Sequence, residues 1–269
     1  MSKHNTIGKG ENQRAVNGGD DKFYTKQFIA DYYSNIVLER YGDIRYIEPT
    51  AGDGAFLNIL PNIQGYDLKP EHDNVLPMDV FNNTFNNDEV IVGNPPFGMN
   101  ASLAQKIFNH IANQEVRAIC FILPKTFKKT SMHNKLNPHY HLVFEQDLID
   151  NAFTVEGKDK HVPCVFQIWE YKKAVRTQIE RVTCDWIEFT TKEFAEVAVR
   201  RAGGKAGKVL DGVDHSTSST YFLKIKNDLV MKALQLINLD VVDYTAGVRS
   251  ISKSELCYEV NKIMKVLSC

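Results

Sequence analysis

The residues best suited to do chemistry are Asn94-Pro95-Pro96-Phe97, which follow the apolar run Val90-Ile91-Val92-Gly93. Proline fixes φ and restricts the residue before it, so we expect this tetrapeptide to form a stiff, extended turn. The turn would present the Asn94 side-chain carbonyl, the Pro95 main-chain carbonyl and the Phe97 ring to one small volume. Two carbonyls can accept both N–H bonds of a planar amine while a ring stacks on the group that carries it. The alternative interpretation is an ordinary strand end followed by a proline-rich turn.

A glycine turn lies upstream of this tetrapeptide, in residues 45–57. Its central segment, Glu48-Pro49-Thr50-Ala51-Gly52-Asp53-Gly54-Ala55-Phe56, is predicted to run from a short strand through a turn into the start of a helix. Glycine allows close approach of the backbone to a ligand or a positive φ. The spacing differs from G-x-G-x-x-G, so a pyrophosphate dinucleotide is not the expected ligand.

Two acidic residues follow the next two predicted strands. Asp67 ends the run Ile63-Gln64-Gly65-Tyr66, and Asp79 follows Val75-Leu76-Pro77-Met78. In doubly wound folds an acid at the end of the second strand commonly holds a ribose diol, which is the role we expect for Asp67. Asp79 and the main chain of Val80 could pair with an adenine edge. Either acid alone could be a solvated loop carboxylate, but the ordered series of motifs favours a nucleotide pocket.

These motifs together resemble the class I S-adenosylmethionine-dependent methyltransferases, and among them the enzymes that methylate adenine N6. The resemblance rests on residues 48–56, Asp67, Asp79 and Asn94-Pro95-Pro96-Phe97, and Phe23-Tyr24-Thr25 is similar to a segment that flanks the methionine end of the cofactor. It covers roughly residues 22–171. The order of cofactor motif, catalytic motif and target-recognition region is that of the gamma group of DNA adenine methyltransferases. RNA-modifying and glutamine-modifying relatives share the Asn-Pro-Pro-aromatic motif, so it indicates the chemistry better than the substrate.

The resemblance implies S-adenosylmethionine as the cofactor and no metal, because the cofactor itself carries the reactive methyl group. The candidate cofactor residues are Tyr24, Thr25, Glu48, Thr50, Gly52, Gly54, Phe56, Asp67, Asp79, Val80 and Asn94. A base inside a duplex cannot reach such a pocket, so the target adenine must be flipped out or already single-stranded. Asn94 and Pro95 would position the amine, with Pro96 stiffening the turn. Phe97 would stack on one face of the base and Phe153 on the other, unless Phe153 is an ordinary core residue.

The elements that must position these residues are strands that alternate with helices, a pattern that favours a mostly parallel sheet. Strands are predicted at 45–48, 63–67, 75–78, 90–93, 117–123, 142–147 and 162–171, and helices at 23–38 and 101–111. The last two strands have no helix between them and should form an antiparallel hairpin at the sheet edge. With the resemblance, this predicts an α/β, Rossmann-like, seven-stranded sheet. Ligands bind such sheets at the carboxyl ends of the strands, where Gly52, Asp67, Asp79 and Asn94 all fall.

The character of the chain changes near residue 176. A basic, glycine-rich segment supplies the candidate nucleic-acid residues Arg200, Arg201, Lys205 and Lys208, and Lys160 is a further candidate beside Phe153. The hydroxyl-rich run Ser216-Thr217-Ser218-Ser219-Thr220-Tyr221 follows. Flexible backbone, cations and hydroxyls suit a phosphate backbone, although a solvated basic loop has the same composition.

We therefore divide the chain into a flexible segment 1–20, a catalytic domain 21–175 and a target-recognition or dimerisation region 176–269. In the last of these, helical segments near 225–238 and 252–266 predict a small α+β or helical region.

Composition limits the classes of function. The 269 residues carry a formal charge of −1, so any nucleic-acid contact must come from local patches. Five scattered cysteines without a C-x-x-C pair indicate a reducing compartment and no structural zinc. There is no apolar run of membrane-spanning length and no signal-peptide segment, so we expect a cytoplasmic protein without a membrane partner. Methylation of DNA adenine is the first hypothesis, RNA adenine the second and protein glutamine the third. A non-catalytic nucleic-acid-binding subunit and a homodimer stay open.

Overall fold

Two separate hydrophobic cores organise the residues that the computed structural model describes, which are 23–238 and 248–268. The first core lies around a large central sheet, and the second lies between a small sheet and two helices. The chain passes from the first core to the second between Tyr171 and Val182. The segment predicted to be flexible, 1–20, lies outside the described residues.

The described residues form more strands than helices, and four strands follow one another without an α-helix between the first and second helices. The strands are β1 (Tyr24–Thr25), β2 (Tyr46–Glu48), β3 (Ile63–Asp67), β4 (Val75–Pro77), β5 (Val90–Gly93), β6 (Ala118–Pro124), β7 (Tyr140–Asp147), β8 (Phe153–Val155), β9 (Lys158–Lys160), β10 (Cys164–Tyr171), β11 (Ile187–Thr190), β12 (Val197–Arg200) and β13 (Thr220–Ile225). The helices are α1 (Gln27–Tyr41), α2 (Ser102–Ala112), α3 (Thr130–His133), α4 (Asp228–Gln235) and α5 (Lys253–Leu267).

The central sheet has seven strands in the order β4-β3-β2-β5-β6-β10-β7. The first five are parallel to one another, whereas β10 is antiparallel to both β6 and β7. This confirms the predicted Rossmann-like sheet and its antiparallel hairpin at the edge. Every residue of β5 and β6 is buried, as expected of parallel strands that are covered on both faces.

Two predictions about helices in the amino-terminal half are wrong. The first helix begins at Gln27 rather than at residue 23, because β1 pairs with β8 and the Lys26 N–H donates to the Ala152 carbonyl. The segment after the glycine turn forms successive turns and no helix. Pro61 explains this second difference, since its ring and missing N–H end any helix after about one and a half turns from Gly54.

The carboxyl-terminal region is a three-stranded antiparallel sheet, β11-β13-β12, with α4 and α5 packed on it. This agrees with the predicted small α+β region. Helix α5 begins with a capping box, in which the Ser252 hydroxyl accepts from the Glu255 N–H and the Glu255 carboxylate accepts from the Ser252 N–H. Glu255 also pairs with Lys129 of the preceding region at 3.3 Å. No helix in the described part of the chain is long and apolar enough to cross a membrane.

Candidate active site

A pocket of about 1230 Å³ lies at the carboxyl ends of the parallel strands of the central sheet. The predicted catalytic tetrapeptide Asn94-Pro95-Pro96-Phe97 forms part of its wall. The predicted cofactor residues that line it are Tyr24, Thr25, Glu48, Thr50, Gly52, Phe56, Asp67, Asp79, Val80 and Asn94. Gly54 is the exception. It sits behind the turn, where an added Cβ would lie 3.0 Å from Leu57 Cδ1, so its role is to shape the turn.

The glycine turn is held in place by Asp67 at the end of β3. One oxygen of the Asp67 carboxylate accepts from the Gly52 N–H and the other from the Lys69 N–H, both at 2.8 Å. Gly52 has a φ of +53°, a value that favours glycine over residues with a Cβ. Asp67, which the sequence predicts to bind the ligand, therefore also holds the neighbouring glycine turn in place.

Asp79 and Val80 form a second wall of the pocket, after β4. The Asp79 carboxylate accepts from the Phe81 N–H at 3.0 Å and caps the short 3-10 turn Val80–Asn82. Val80 is buried against the pocket, and Phe81 is 41% exposed while it also lines the cavity. A carboxylate oxygen and an apolar surface thus stand side by side, which suits a flat, partly polar ring.

The Asn94 side chain has a fixed orientation. Its amide nitrogen donates to the Phe23 carbonyl at 3.0 Å and to the Thr25 hydroxyl at 3.2 Å. Its oxygen, Oδ1, is buried and has no hydrogen-bond partner among the described residues. The sequence flagged residues 23–25 only as a flank of the cofactor, and their role in orienting Asn94 was missed. The result is one buried acceptor oxygen without a partner among the described residues, on a side chain that lines the pocket.

The aromatic residues are arranged differently from the prediction. Phe97 is 7% exposed and stacks on Phe23, with ring centroids 6.0 Å apart and planes 27° apart. Phe153, which was predicted to cover the second face of a base, is fully buried and does not line the pocket. It packs edge-on beneath Phe23, because the pairing of β8 with β1 turns its ring into the core. Phe23 is therefore the aromatic partner of Phe97.

A buried carboxyl group stands at the end of β2. Glu48 is 2% exposed, and its Oε2 has no hydrogen-bond partner among the described residues. Burial raises the pKa of Glu48 well above its usual value, and the negative charges of Asp53 and Asp67 add to the effect. A hydrogen bond from the Phe56 main chain acts in the opposite direction. The protonated form of Glu48 is thus favoured in the folded protein.

Three buried oxygen atoms at this pocket lack partners among the described residues, namely Glu48 Oε2, Thr50 Oγ1 and Asn94 Oδ1. Buried polar atoms in folded proteins are nearly always hydrogen-bonded, so a group of three at one cavity needs a reason. A polar ligand that enters the cavity would supply the missing partners.

The segment that follows Phe97 has a strained backbone. Gly98, Asn100 and Ala101 have φ values of +66°, +54° and +61°. The Phe97 carbonyl accepts from the Leu103 and Ala104 N–H groups at 3.1 and 3.2 Å, so it caps α2. Left-handed conformations at residues other than glycine are costly and often occur at functional sites. Here they place Met99, 83% exposed, at the mouth of the pocket.

The predicted nucleic-acid residues lie on different elements. Lys160 is exposed on β9, and Lys205 and Lys208 are exposed in the turn after β12. Arg200 donates to the Ser219 hydroxyl at 2.8 Å and Arg201 to the Ser218 carbonyl at 2.5 Å. The basic segment is closed by two main-chain bonds between Arg200 and the 207–208 pair, so it is an ordered turn rather than the flexible loop its composition predicted.

Two lysines that follow β6 are paired with carboxylates. Lys125 and Lys128 contact Asp147 at 3.1 and 2.7 Å, and Lys128 also contacts Glu145. These pairs neutralise the lysines, so this surface offers little net positive charge to a phosphate backbone.

No family model and no curated protein matches the chain. Among solved structures, a candidate RNA methyltransferase from Pyrococcus horikoshii aligns with 13% identity and a TM-score of 0.45, over 56% of this chain and 87% of that one. The modification subunit of a candidate type I restriction enzyme from Vibrio vulnificus aligns with 16% identity and a TM-score of 0.41, over 59% of this chain and 46% of that one. The 23S rRNA methyltransferase ErmE aligns with 13% identity and a TM-score of 0.38, over 59% and 72%. These distant likenesses assign neither a family nor a substrate.

Proposed function

We propose that this protein transfers a methyl group from S-adenosylmethionine to the exocyclic N6 of adenine in DNA. One observation carries the proposal. Asn94 Oδ1 is buried and unpartnered at the pocket, while its amide nitrogen is held by Phe23 and Thr25. A buried acceptor without a donor is costly, and an incoming N–H group removes that cost. The site is therefore prepared for an amine.

The residues of the pocket fit the cofactor. Asp67 and the turn at Gly52 line the part of the pocket that would hold the ribose and methionine ends, and Asp79 with Val80 suits the adenine ring. Glu48 Oε2 and Thr50 Oγ1 are the buried atoms that lack partners on this side. A volume of about 1230 Å³ exceeds what one drug-sized ligand occupies, so it leaves room for a base beside the cofactor. When bound, the cofactor supplies a sulfonium methyl group.

The chain's own residues would orient the nucleophile. The lone pair of adenine N6 is delocalised into the ring, which makes the nitrogen a poor nucleophile. Asn94 Oδ1 and the Pro95 carbonyl would accept its two N–H bonds and favour a pyramidal nitrogen whose lone pair points away from the ring. This is catalysis by positioning and electrostatic stabilisation. The Asn94 amide is not a base, so the proton that the nitrogen releases would pass to solvent.

The choice of DNA rests on the order of the motifs and on the cations of the carboxyl-terminal region. The order of motifs along the chain and the cations at Arg200 and Arg201 are compatible with a nucleic acid, and RNA adenine is the alternative substrate. Since Phe23 already covers one face of Phe97, the base would meet the Phe97 ring by its exposed part only.

The test is transfer of labelled methyl from S-adenosylmethionine to duplex DNA, single-stranded DNA, RNA and protein in parallel, followed by nucleoside analysis. N6-methyladenine in DNA is the expected product. Label in RNA alone would keep the chemistry and overturn the substrate. No label in any pool, with the cofactor still bound, would overturn the enzymatic proposal.

Asn94→Ala tests the mechanism itself. We expect the rate of transfer to fall by roughly 100-fold or more, because one preorganised hydrogen-bond partner is lost. The dissociation constant of the cofactor should change by no more than about two-fold. Asn58→Ala, at an exposed position outside the pocket, is the matched control and should behave as the parent protein. Equal transfer rates in Asn94→Ala and the parent would contradict the mechanism.

A further inference from the structure

A second pocket, of about 640 Å³, lies in the carboxyl-terminal region on the β11-β13-β12 sheet, next to the start of α5. Its lining is rich in hydroxyl groups, from Thr190, Thr191, Thr217, Ser218, Thr220 and Tyr221. Two cationic side chains, Arg201 and Lys253, also line it. The function proposed above makes no use of this pocket.

One polar atom of the pocket is buried and unsatisfied. Thr220 is 4% exposed, and its Oγ1 has no hydrogen-bond partner among the described residues. A buried hydroxyl without a partner is costly and rare in folded proteins, so this one needs an explanation. Thr220 is also one of the residues that line the cavity, so a group bound there could supply that partner.

The two cations are held in place without neutralisation. Arg201 donates to the Ser218 carbonyl at 2.5 Å, and it is also hydrogen-bonded to Tyr221. The Lys253 ammonium lies 4.4 Å from the centre of the Phe189 ring. No carboxylate forms a salt bridge with either of them in the residues that the structure describes. Both charges are therefore free to meet an anion.

One carboxylate and one further lysine stand at the edge of the same pocket. Glu193 is exposed, and its carboxylate is hydrogen-bonded to the Thr191 side chain. Lys192 is paired with Asp214 at 2.5 Å, which cancels its charge. The pocket thus keeps two unpaired cations against one exposed carboxylate, and its positive side adjoins Thr220.

We propose that this pocket binds a phosphate group of the nucleic-acid strand that carries the target base; the identity of the strand rests on the proposed function. A phosphate has several acceptor oxygens, which match the Thr220 hydroxyl, the Arg201 guanidinium and the Lys253 ammonium. Such a contact carries no sequence information. It fixes the position of the strand relative to the carboxyl-terminal region.

Binding of a fluorescently labelled, single-stranded DNA of twenty nucleotides tests the inference, with anisotropy as the readout and no cofactor present. Thr220→Val and Arg201→Gln should each weaken binding by about ten-fold in 0.1 M salt, since each removes a hydrogen bond to a charged group. Arg201→Gln should also lower the slope of log affinity against log salt by about 0.7, whereas Thr220→Val should leave the slope unchanged. Lys262→Gln is the matched control for the loss of one positive charge. Lys262 is exposed on α5, the helix that also carries Lys253, and it lies outside the pocket.

Thr220→Val separates a ligand contact from a structural role. In the free protein it removes an unsatisfied buried oxygen, so the melting temperature should stay the same or rise. A fall in melting temperature would mean that the hydroxyl has an internal partner, and would overturn the inference. The inference would also be overturned if Thr220→Val and Arg201→Gln both bind the labelled DNA as tightly as the parent protein does.

Two further arms separate the sources of phosphate and the two proposals. Tighter binding of inorganic phosphate or adenosine monophosphate than of the strand, at constant ionic strength, would overturn the strand as the occupant. If Thr220→Val and Arg201→Gln weaken strand binding but the parent protein transfers no methyl group, the phosphate site is supported and the proposed function is not. If the parent protein transfers methyl groups and both variants bind the strand as the parent does, the proposed function is supported and the phosphate site is overturned.

Discussion

Replacement of Glu48 by glutamine should change how the stability of the protein depends on pH. Glu48 is buried, its Oε2 is unpartnered among the described residues, and burial raises its pKa well above the usual value. Glutamine has nearly the same shape and cannot ionise. The substitution therefore removes the titration while it leaves the packing at the end of β2 almost unchanged.

The size of the effect follows from proton linkage. In the unfolded chain this carboxyl titrates near its ordinary value of 4.5, whereas the folded protein keeps the proton to higher pH. Between the two pKa values the folded state binds more protons than the unfolded state, so stability falls as pH rises. The fall is about 1.4 kcal/mol per pH unit and ends once pH exceeds the folded pKa. Glu48→Gln lacks this loss.

Unfolding free energies from urea titrations at pH 5.5, 6.5 and 7.5 measure the difference. The stability of Glu48→Gln relative to the parent should increase by about 1.4 kcal/mol per pH unit until the folded pKa is passed. Glu89→Gln is the control, because Glu89 is equally buried but pairs with Arg45 at 2.9 Å. It should be less stable than the parent throughout. A constant difference between Glu48→Gln and the parent would show that Glu48 is ionised when folded, and would refute the reasoning.

Two further substitutions test the walls of the first pocket. Asp67→Ala removes the acceptor for Gly52 and Lys69, so cofactor affinity by calorimetry should fall and the protein should lose about 1.5–3 kcal/mol of stability; an unchanged dissociation constant would count against its role. Gly98→Ala places a Cβ 2.7 Å from that of Leu103 at a φ of +66° and should cost at least 1–2 kcal/mol in thermal unfolding. Gly204→Ala, in open space, should be neutral, and equal melting temperatures for the two would contradict this.

The central sheet could be predicted because its information is local. Most strands of the sheet carry apolar residues next to turn residues in the sequence, and β5 and β6 are apolar along their whole length. Once the strands are parallel, their carboxyl ends meet at one edge, so Asp67, Asp79 and Asn94 had to share a pocket.

The parts that were missed depend on contacts between distant segments. The pairing of β1 with β8 joins residues almost 130 positions apart, and neither strand is long enough to show a periodic pattern. The segment held by that pairing contains Phe23, which stacks on Phe97 and accepts from the Asn94 amide, and Phe153, which is buried. In the same way, the ion pairs of Lys128 with Glu145 and Asp147 exist only because β7 lies beside β10.

The carboxylate of Glu255 has a consequence for the exchange of parts between proteins. It caps α5 through the Ser252 N–H at 2.7 Å and also neutralises Lys129, whose side chain is only 10% exposed and belongs to the other core. A chimaera that grafts a foreign carboxyl-terminal unit onto the amino-terminal region would leave the largely buried Lys129 without its counter-charge. The exchange therefore has to carry over an acid at the first turn of the incoming helix, or replace Lys129 by a neutral residue. Lys129 therefore limits how freely the two regions can be exchanged, since it contacts both the Glu255 carboxylate and the Ser250 carbonyl.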